Sequence, residues 1–264
     1  MNKVWIIVRK EWAEVFKNRF VLFTVGFLPL LFTALPLITL YATRNAGDFG
    51  GLTSSDMPSS FLDLCGGEMS PAECGQFYII SQFMLLFMIM PLAIPVTIAS
   101  YSIVGEKTTR TLEPVLATPV TTTELLAGKG LAAILPAIGA TWLGFGIFAV
   151  GARILSASPI VLGRLTDALW LSAIFIVGPL LSIAAVSVAV MVSSRANDPR
   201  VAEQLSMLVI LPLIGLFFGQ IAGLFFINEQ LITWMAFILL VVDAGLLALA
   251  THLFQRETIL TRWK

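Results

Sequence analysis

Apolar and polar positions alternate along this chain in long blocks rather than at helical or strand spacing. Six runs of mainly apolar residues cover 20–42, 77–103, 130–151, 168–192, 205–227 and 230–254. As a helix, each is long enough to cross about 30 Å of hydrocarbon. The pattern predicts an all-α polytopic membrane protein with six spans. Residues 2–19 read differently. Val4, Trp5, Val8, Trp12, Val15 and Phe16 recur at helical spacing, with Lys10, Glu11, Glu14 and Lys17 between them. This is an amphipathic helix lying in the inner membrane interface with its tryptophans at headgroup level, or else a cytosolic helix packed on another subunit.

Composition agrees with the blocks. Of 264 residues, 58% are hydrophobic and 12% charged, and the mean hydropathy is +0.92. A soluble domain carries roughly 25% charged residues, so that class is excluded. Zero formal net charge gives no argument for nucleic acid. Orientation follows from Lys and Arg. With the N-terminus inside, 13 of them are cytoplasmic (Lys3, Arg9, Lys10, Lys17, Arg19, Lys107, Arg110, Lys129, Arg195, Arg200, Arg256, Arg262, Lys264), against 3 outside (Arg44, Arg153, Arg164). The positive-inside bias and the even number of spans put both termini in the cytoplasm of a cell (plasma or inner) membrane. The first apolar run is too long for a signal h-region and lacks an A-x-A-like site, so no cleavable signal is expected.

The one sizeable outside loop is 43–76, acidic and rich in Gly and Ser, and it holds both cysteines, Cys65 and Cys74. On the oxidising side a disulfide closing this short loop contributes roughly 2–3 kcal/mol. Metal binding is the alternative reading, weakened because the single histidine, His252, is at the other end of the chain.

Within the spans, Pro29, Pro36, Pro91 and Pro95 predict kinks. Gly215, Gly219 and Gly223 repeat G-x-x-x-G in span five. They read as a dimer face, as intramolecular packing, or as a bend near the outer surface. Asp243, near the middle of span six, costs about 2.5–3.5 kcal/mol to place there and therefore faces protein or water. It and Gln82 are the candidate intramembrane substrate or ion site; a structural aspartate is the other reading. After span four, Asp198-Pro199 predicts a helix N-cap followed by proline at the first helical position.

The most informative segment is 105–129, GEKTTRTLEPVLATPVTTTELLAGK. It is too long and too charged for a simple turn between spans. Leu112 and Leu116 lie one helical turn apart, and Pro114 is tolerated if the helix begins near Leu112 or Glu113. The segment reads as a short amphipathic helix that presents a surface to a partner. Thr121 and Glu124 fit a capping box for the helix that enters span three. Chemistry motifs are absent. There is no G-x-x-x-x-G-K-[ST], since Thr123 stands where its first glycine belongs, and no H-E-x-x-H or G-x-S-x-G. With no second membrane aspartate near Asp243, an intramembrane aspartyl protease is also excluded.

The run Ser102-Ile-Val-Gly-Glu106-Lys-Thr-Thr-Arg110-Thr111-Leu112-Glu113-Pro-Val-Leu116-Ala-Thr-Pro119, followed by Gly128-Lys129, resembles the motif after span two in membrane subunits of the ABC-2 class of ABC transporters. Arg110 departs from it, standing where many members have glycine. The resemblance implies a permease of an ATP-driven exporter, paired with a second permease subunit as a homodimer or related heterodimer. It implies two cytosolic ATPase subunits, which hold the ATP and Mg, so that this chain binds no cofactor or metal and is not itself an enzyme. It further implies a coupling segment whose contacts with the ATPase include Glu106, Arg110, Thr111, Leu112, Glu113, Leu116 and Pro119. Cargo in the family spans drugs, lipids and, in a subgroup with a similar I-V-G-E-K motif, sodium. The apolar spans favour a hydrophobic or amphipathic cargo, with sodium as the other expectation. The competing class is an ATP-independent secondary transporter or channel using Asp243, and a scaffold that moves nothing is a further one.

Overall fold

The computed structural model describes residues 3–43, 61, 65, 69–108, 120–155 and 158–253. Among these residues the regular structure is entirely helical. Helix α1 is Lys3–Val15 and α2 is Arg19–Thr43. Then come α3 (Pro71–Phe87), α4 (Met90–Thr108), α5 (Thr122–Leu155), α6 (Pro159–Leu165) and α7 (Ala168–Ser172). The remaining helices are α8 (Gly178–Arg195), α9 (Pro199–Ser206), α10 (Leu211–Ile221) and α11 (Glu229–Leu253).

They assemble into six helical segments long and apolar enough to cross a membrane: Arg19–Ala42, Glu73–Thr108, Thr122–Leu155, Pro159–Arg195, Pro199–Ile221 and Glu229–Thr251. The second and fourth are 83% and 61% buried over their most apolar windows, and the sixth only 11%. Spans two and four therefore form the centre, and the others ring them with lipid-facing sides such as Leu30 and Leu143. Span three, at 34 residues, is about 51 Å long. It extends beyond the hydrocarbon, which gives α1 a polar stretch of helix to pack on.

Proline decides where these helices break and which neighbours repair them. Pro91 cannot donate to the carbonyl of Phe87, and α3 ends there, with a turn at Met88 and Ile89 before α4. Pro95 in turn leaves the Pro91 carbonyl without its usual donor. The Ser182 hydroxyl, from α8, donates to that oxygen at 2.9 Å. Pro136 frees the carbonyl of Ala132 in α5, and the Trp12 indole N–H of α1 donates to it at 2.9 Å. In span four, Pro179 follows a π-helical turn, Ala173–Val177, where the Gly178 amide bonds the Ala173 carbonyl. That leaves the Ile174 carbonyl open, and Trp142 donates to it at 3.4 Å.

Two other elements position the ends. Asp198 caps α9, accepting from the Arg200 amide at 2.7 Å. On α9, Glu203 accepts from the Thr97 hydroxyl at 2.6 Å, which holds the start of span five against span two. At the other end of the bundle, Phe61, Cys65, Met69 and Cys74 form a small apolar cluster with Phe77, Tyr78 and Phe226 packed on it.

Candidate functional site

Three helices meet where the chain leaves span two and re-enters at span three: α1, the last turns of α4 and the first turns of α5. On α1, Val8, Glu11 and Val15 form the buried stripe. The apolar pattern places Glu11 on the polar side of this helix, but Glu11 is 2% exposed. It is buried because of what stands opposite. Lys129 Nζ lies 2.8 Å from Glu11 Oε1 and 2.8 Å from Glu106 Oε2, and it donates to Ser102 Oγ at 2.9 Å. The Ser102 hydroxyl donates to the second oxygen of Glu11. Lys10 pairs with the other oxygen of Glu106 and lies 3.6 Å from Glu11 and 3.3 Å from Glu14.

The core of this cluster balances two carboxylates, Glu11 and Glu106, against two ammonium groups, Lys10 and Lys129. Such balance is needed, because an isolated charge at this burial is costly. Burial works against the charged form of Lys10, but Glu106, Glu11 and Glu14 more than offset it and hold its pKa above the ordinary lysine value.

Gly128 makes the cluster possible. A Cβ at this position would meet the Cβ and Cγ2 of Ile7 at 2.7 Å, so only glycine lets α1 approach α5 this closely. The Gly128-Lys129 pair thus combines a close helix contact with the cation that the contact buries. Below it, the Thr121 amide donates to Glu124 Oε2 at 2.8 Å, and the Glu124 amide to Thr121 Oγ1 at 3.2 Å, which closes the capping box at the start of α5. Lys3 reaches Glu124 at 3.8 Å. On the span-two side, Lys107 donates to the Ala196 carbonyl at the end of α8 at 3.0 Å. Both roots of the polar segment are therefore fastened, one to α1 and α8, the other to α1.

Of the segment's expected coupling residues, Glu106 sits in this cluster. Arg110, Thr111, Leu112, Glu113, Leu116 and Pro119 lie outside the described residues. The chain pattern does not disclose Lys10, Glu11, Ser102 and Lys129 as a site. The available signals are an acid at the middle position of the Val8, Glu11, Val15 stripe and a lysine at the root of a span.

The remaining candidates are dispersed. Asp243 is 4% exposed, and its carboxylate oxygens are buried without a hydrogen-bond partner among the described residues. It shares the inward stripe of α11 with Ile232 and Ala250, a stripe that packs on α8. The amide atoms of Gln82 on α3 are likewise buried and unpartnered among the described residues, so no hydrogen bond joins the two side chains. Cys65 and Cys74 are joined in a disulfide with Cα atoms 5.8 Å apart.

The three glycines of span five do not share one helix face. Helix α10 stops at Ile221, and Gly223 has φ +70°, a left-handed conformation that suits glycine. The Leu224 amide bonds the Gly219 carbonyl and the Gly223 amide the Gln220 carbonyl, each at 3.0 Å, which is a Schellman ending. Gly219 is covered by the Phe225 ring, with which a Cβ would clash at 2.6 Å. Gly215 is open, with nothing near a built Cβ.

Residues 5–240, most of the chain, match the profile described as ABC-2 family transporter protein. The chain belongs to the ABC-2 family. It is a multi-pass membrane permease component of an ABC transporter, a system in which the transmembrane component works with an ATPase. The ionic cluster falls within the matched residues, while Asp243 lies beyond them. No curated protein sequence matches the chain.

Proposed function

We propose that this ABC-2 permease is the membrane subunit of an ATP-driven exporter. In this reading the 105–129 segment receives the movement of a cytosolic ATPase, and the Glu11–Lys129–Glu106 cluster carries it to spans two and three. The supporting observation is the buried ion cluster that grips both roots of the segment. A push on either root is resisted by charge pairs that lose much of their stabilisation if they separate, so the three helices move as one body. Two ATPase subunits bind ATP and Mg, and a second permease subunit, identical or related, completes the path. Both termini face the cytoplasm, in agreement with the distribution of Lys and Arg. The membrane is the plasma or inner membrane. Cargo is a hydrophobic or amphipathic small molecule or lipid, or sodium. For a cation, Asp243 and Gln82 offer buried oxygens without partners among the described residues. Gly215 is open to a second permease subunit.

The deciding experiment co-expresses the chain with its ATPase and replaces Leu112 and Leu116 together with aspartate. The spans still insert, because both positions fall in the polar segment between two apolar runs of the sequence. Association with the ATPase weakens, or hydrolysis continues without transport. A double variant that binds the ATPase and transports like the native chain overturns the assigned role of the segment.

A further inference from the structure

At the end of the bundle opposite the ionic cluster, a cavity of about 210 Å³ opens between the starts of spans two and six, the end of span five, and the α6–α7 turn. Sites that enclose a drug-sized molecule measure about 300–1,000 Å³. This one is smaller and has room for a compact polar group only.

The lining is specific in its chemistry. Trp170 and Phe226 supply aromatic walls. The Cys65–Cys74 disulfide packs in the cluster with Phe61 and Phe226, so that wall is covalently preset. Arg164 is exposed at the cavity and forms no ion pair with a described residue. Asp167 and Glu229 bring two carboxylates to the same space. One Asp167 oxygen caps α7 through the Ala168 amide at 2.8 Å, which leaves its other oxygen available. Gln220 also lines the cavity. It is 2% exposed, and its side-chain oxygen is buried without a hydrogen-bond partner among the described residues.

A buried acceptor with no donor is unfavourable, and a ligand that supplies an N–H relieves it. The Nε2 of the same amide is not buried in this way, so a half-turn about the last side-chain bond exchanges the two atoms and brings the oxygen to accessible space. Aromatic faces and carboxylates attract a cation. A free guanidinium pairs with phosphate through two parallel N–H bonds. One molecule meets all of these demands if it carries a primary ammonium a short linker away from a phosphate. We propose that this cavity binds a phosphoethanolamine group, its ammonium toward Gln220, Asp167 and Glu229 and its phosphate on Arg164. A trimethylammonium group has no N–H and leaves Gln220 unsatisfied, so the site discriminates ethanolamine from choline. The proposal requires only that the chain spans a membrane. Binding needs no ATPase, so its failure leaves the coupling reading untouched, and the converse also holds.

The test uses the purified full chain in phosphatidylglycerol nanodiscs doped with either phosphatidylethanolamine or phosphatidylcholine, with bound lipid counted by native mass spectrometry. A second arm titrates water-soluble phosphoethanolamine and phosphocholine and follows the shift in melting temperature. The ethanolamine lipid is expected to bind about tenfold more tightly than the choline lipid, the effect of one charge-assisted hydrogen bond. Gln220→Leu and Arg164→Gln should each weaken it by roughly the same factor. Leu143→Ala, on the lipid-facing side of α5, should leave it unchanged. A shift with the soluble compound assigns recognition to the headgroup alone. Binding of the lipid only assigns the bilayer as its source. Equal binding of both lipids, no binding, or binding indifferent to both variants overturns the proposal.

Discussion

Lys129 Nζ lies 2.8 Å from Glu11 Oε1, across 118 positions of sequence, and both side chains are almost fully buried. Removing one member of a buried pair is destabilising by about 3–5 kcal/mol, because the remaining charge has no partner. Lys129→Met should therefore lower stability by an amount of this order in denaturant unfolding of the detergent-solubilised chain. Adding Glu11→Gln removes one of the stranded charges and should recover part of the loss. Additive effects of the two changes would show that the pair is not coupled.

Gly128→Ala should push α1 away from α5, since the new methyl would sit 2.7 Å from Ile7. Overpacking of this kind costs about 1–3 kcal/mol. Trp12, which bonds the Ala132 carbonyl of α5 one turn beyond Gly128, should report the displacement through its fluorescence. Ile7→Gly in the Gly128→Ala background removes both clashing atoms, the Cβ and the Cγ2, and should return the signal toward the native one. A Gly128→Ala chain that melts and fluoresces like the native one would contradict the close contact.

The spans are legible in the sequence because each is a continuous apolar run, and hydrocarbon selects for that property regardless of neighbours. The capping box at Thr121 and Glu124 is legible because its residues are local. Glu11 is not, because periodicity assigns every charge to the exposed face, and the lysine that permits its burial comes from a distant helix. Gly223 misleads in the opposite way. Its spacing continues a helix face, while its backbone has already turned left-handed and ended the helix. The prolines are visible in the sequence, but the donors that repair them, Ser182 and Trp12, are set by tertiary packing.

The Ser182 bond gives a test with an internal rescue. Ser182→Ala leaves the buried Pro91 carbonyl without a donor and should be destabilising by about 1–3 kcal/mol in thermal or denaturant unfolding. Pro95→Ala in the same chain returns the backbone N–H that bonds this carbonyl in an unbroken helix, and it should recover most of the loss. If Pro95→Ala gives no recovery, the contribution of Ser182 does not run through the Pro91 carbonyl but through packing or its second acceptor, the Gly178 carbonyl at 3.2 Å.

Orientation can be read at two exposed positions on opposite ends of the bundle, Thr121 and Gly163. Both native cysteines are in the disulfide, which leaves a clean background for single introduced cysteines. In intact cells an impermeant maleimide should label Gly163→Cys and spare Thr121→Cys until the membrane is opened. The reverse pattern would invert the topology.

The cluster's part in coupling is separable from its part in folding. Glu106 lies at the end of α4, just before the stretch that carries Leu112 and Leu116, and joins Lys10 of α1 to Lys129 of α5. Glu106→Gln keeps the shape of the side chain and its hydrogen-bonding atoms but removes its charge. Lys129 retains Glu11 and Ser102, and Lys10 retains Glu11 and Glu14, so the fold survives with weaker fastening at this root. The leucines expected to face the ATPase are untouched, so association should stay within about twofold of the native complex. A charge-assisted hydrogen bond contributes about 1.5–3 kcal/mol, and its loss in the moving state corresponds to roughly tenfold or more in the coupled step. The expected outcome in proteoliposomes is near-native ATP hydrolysis with transport per ATP reduced by about that factor. Native transport per ATP would restrict the Glu106–Lys129 pair to a structural role. A parallel loss of ATPase association would place Glu106 in the contact surface itself.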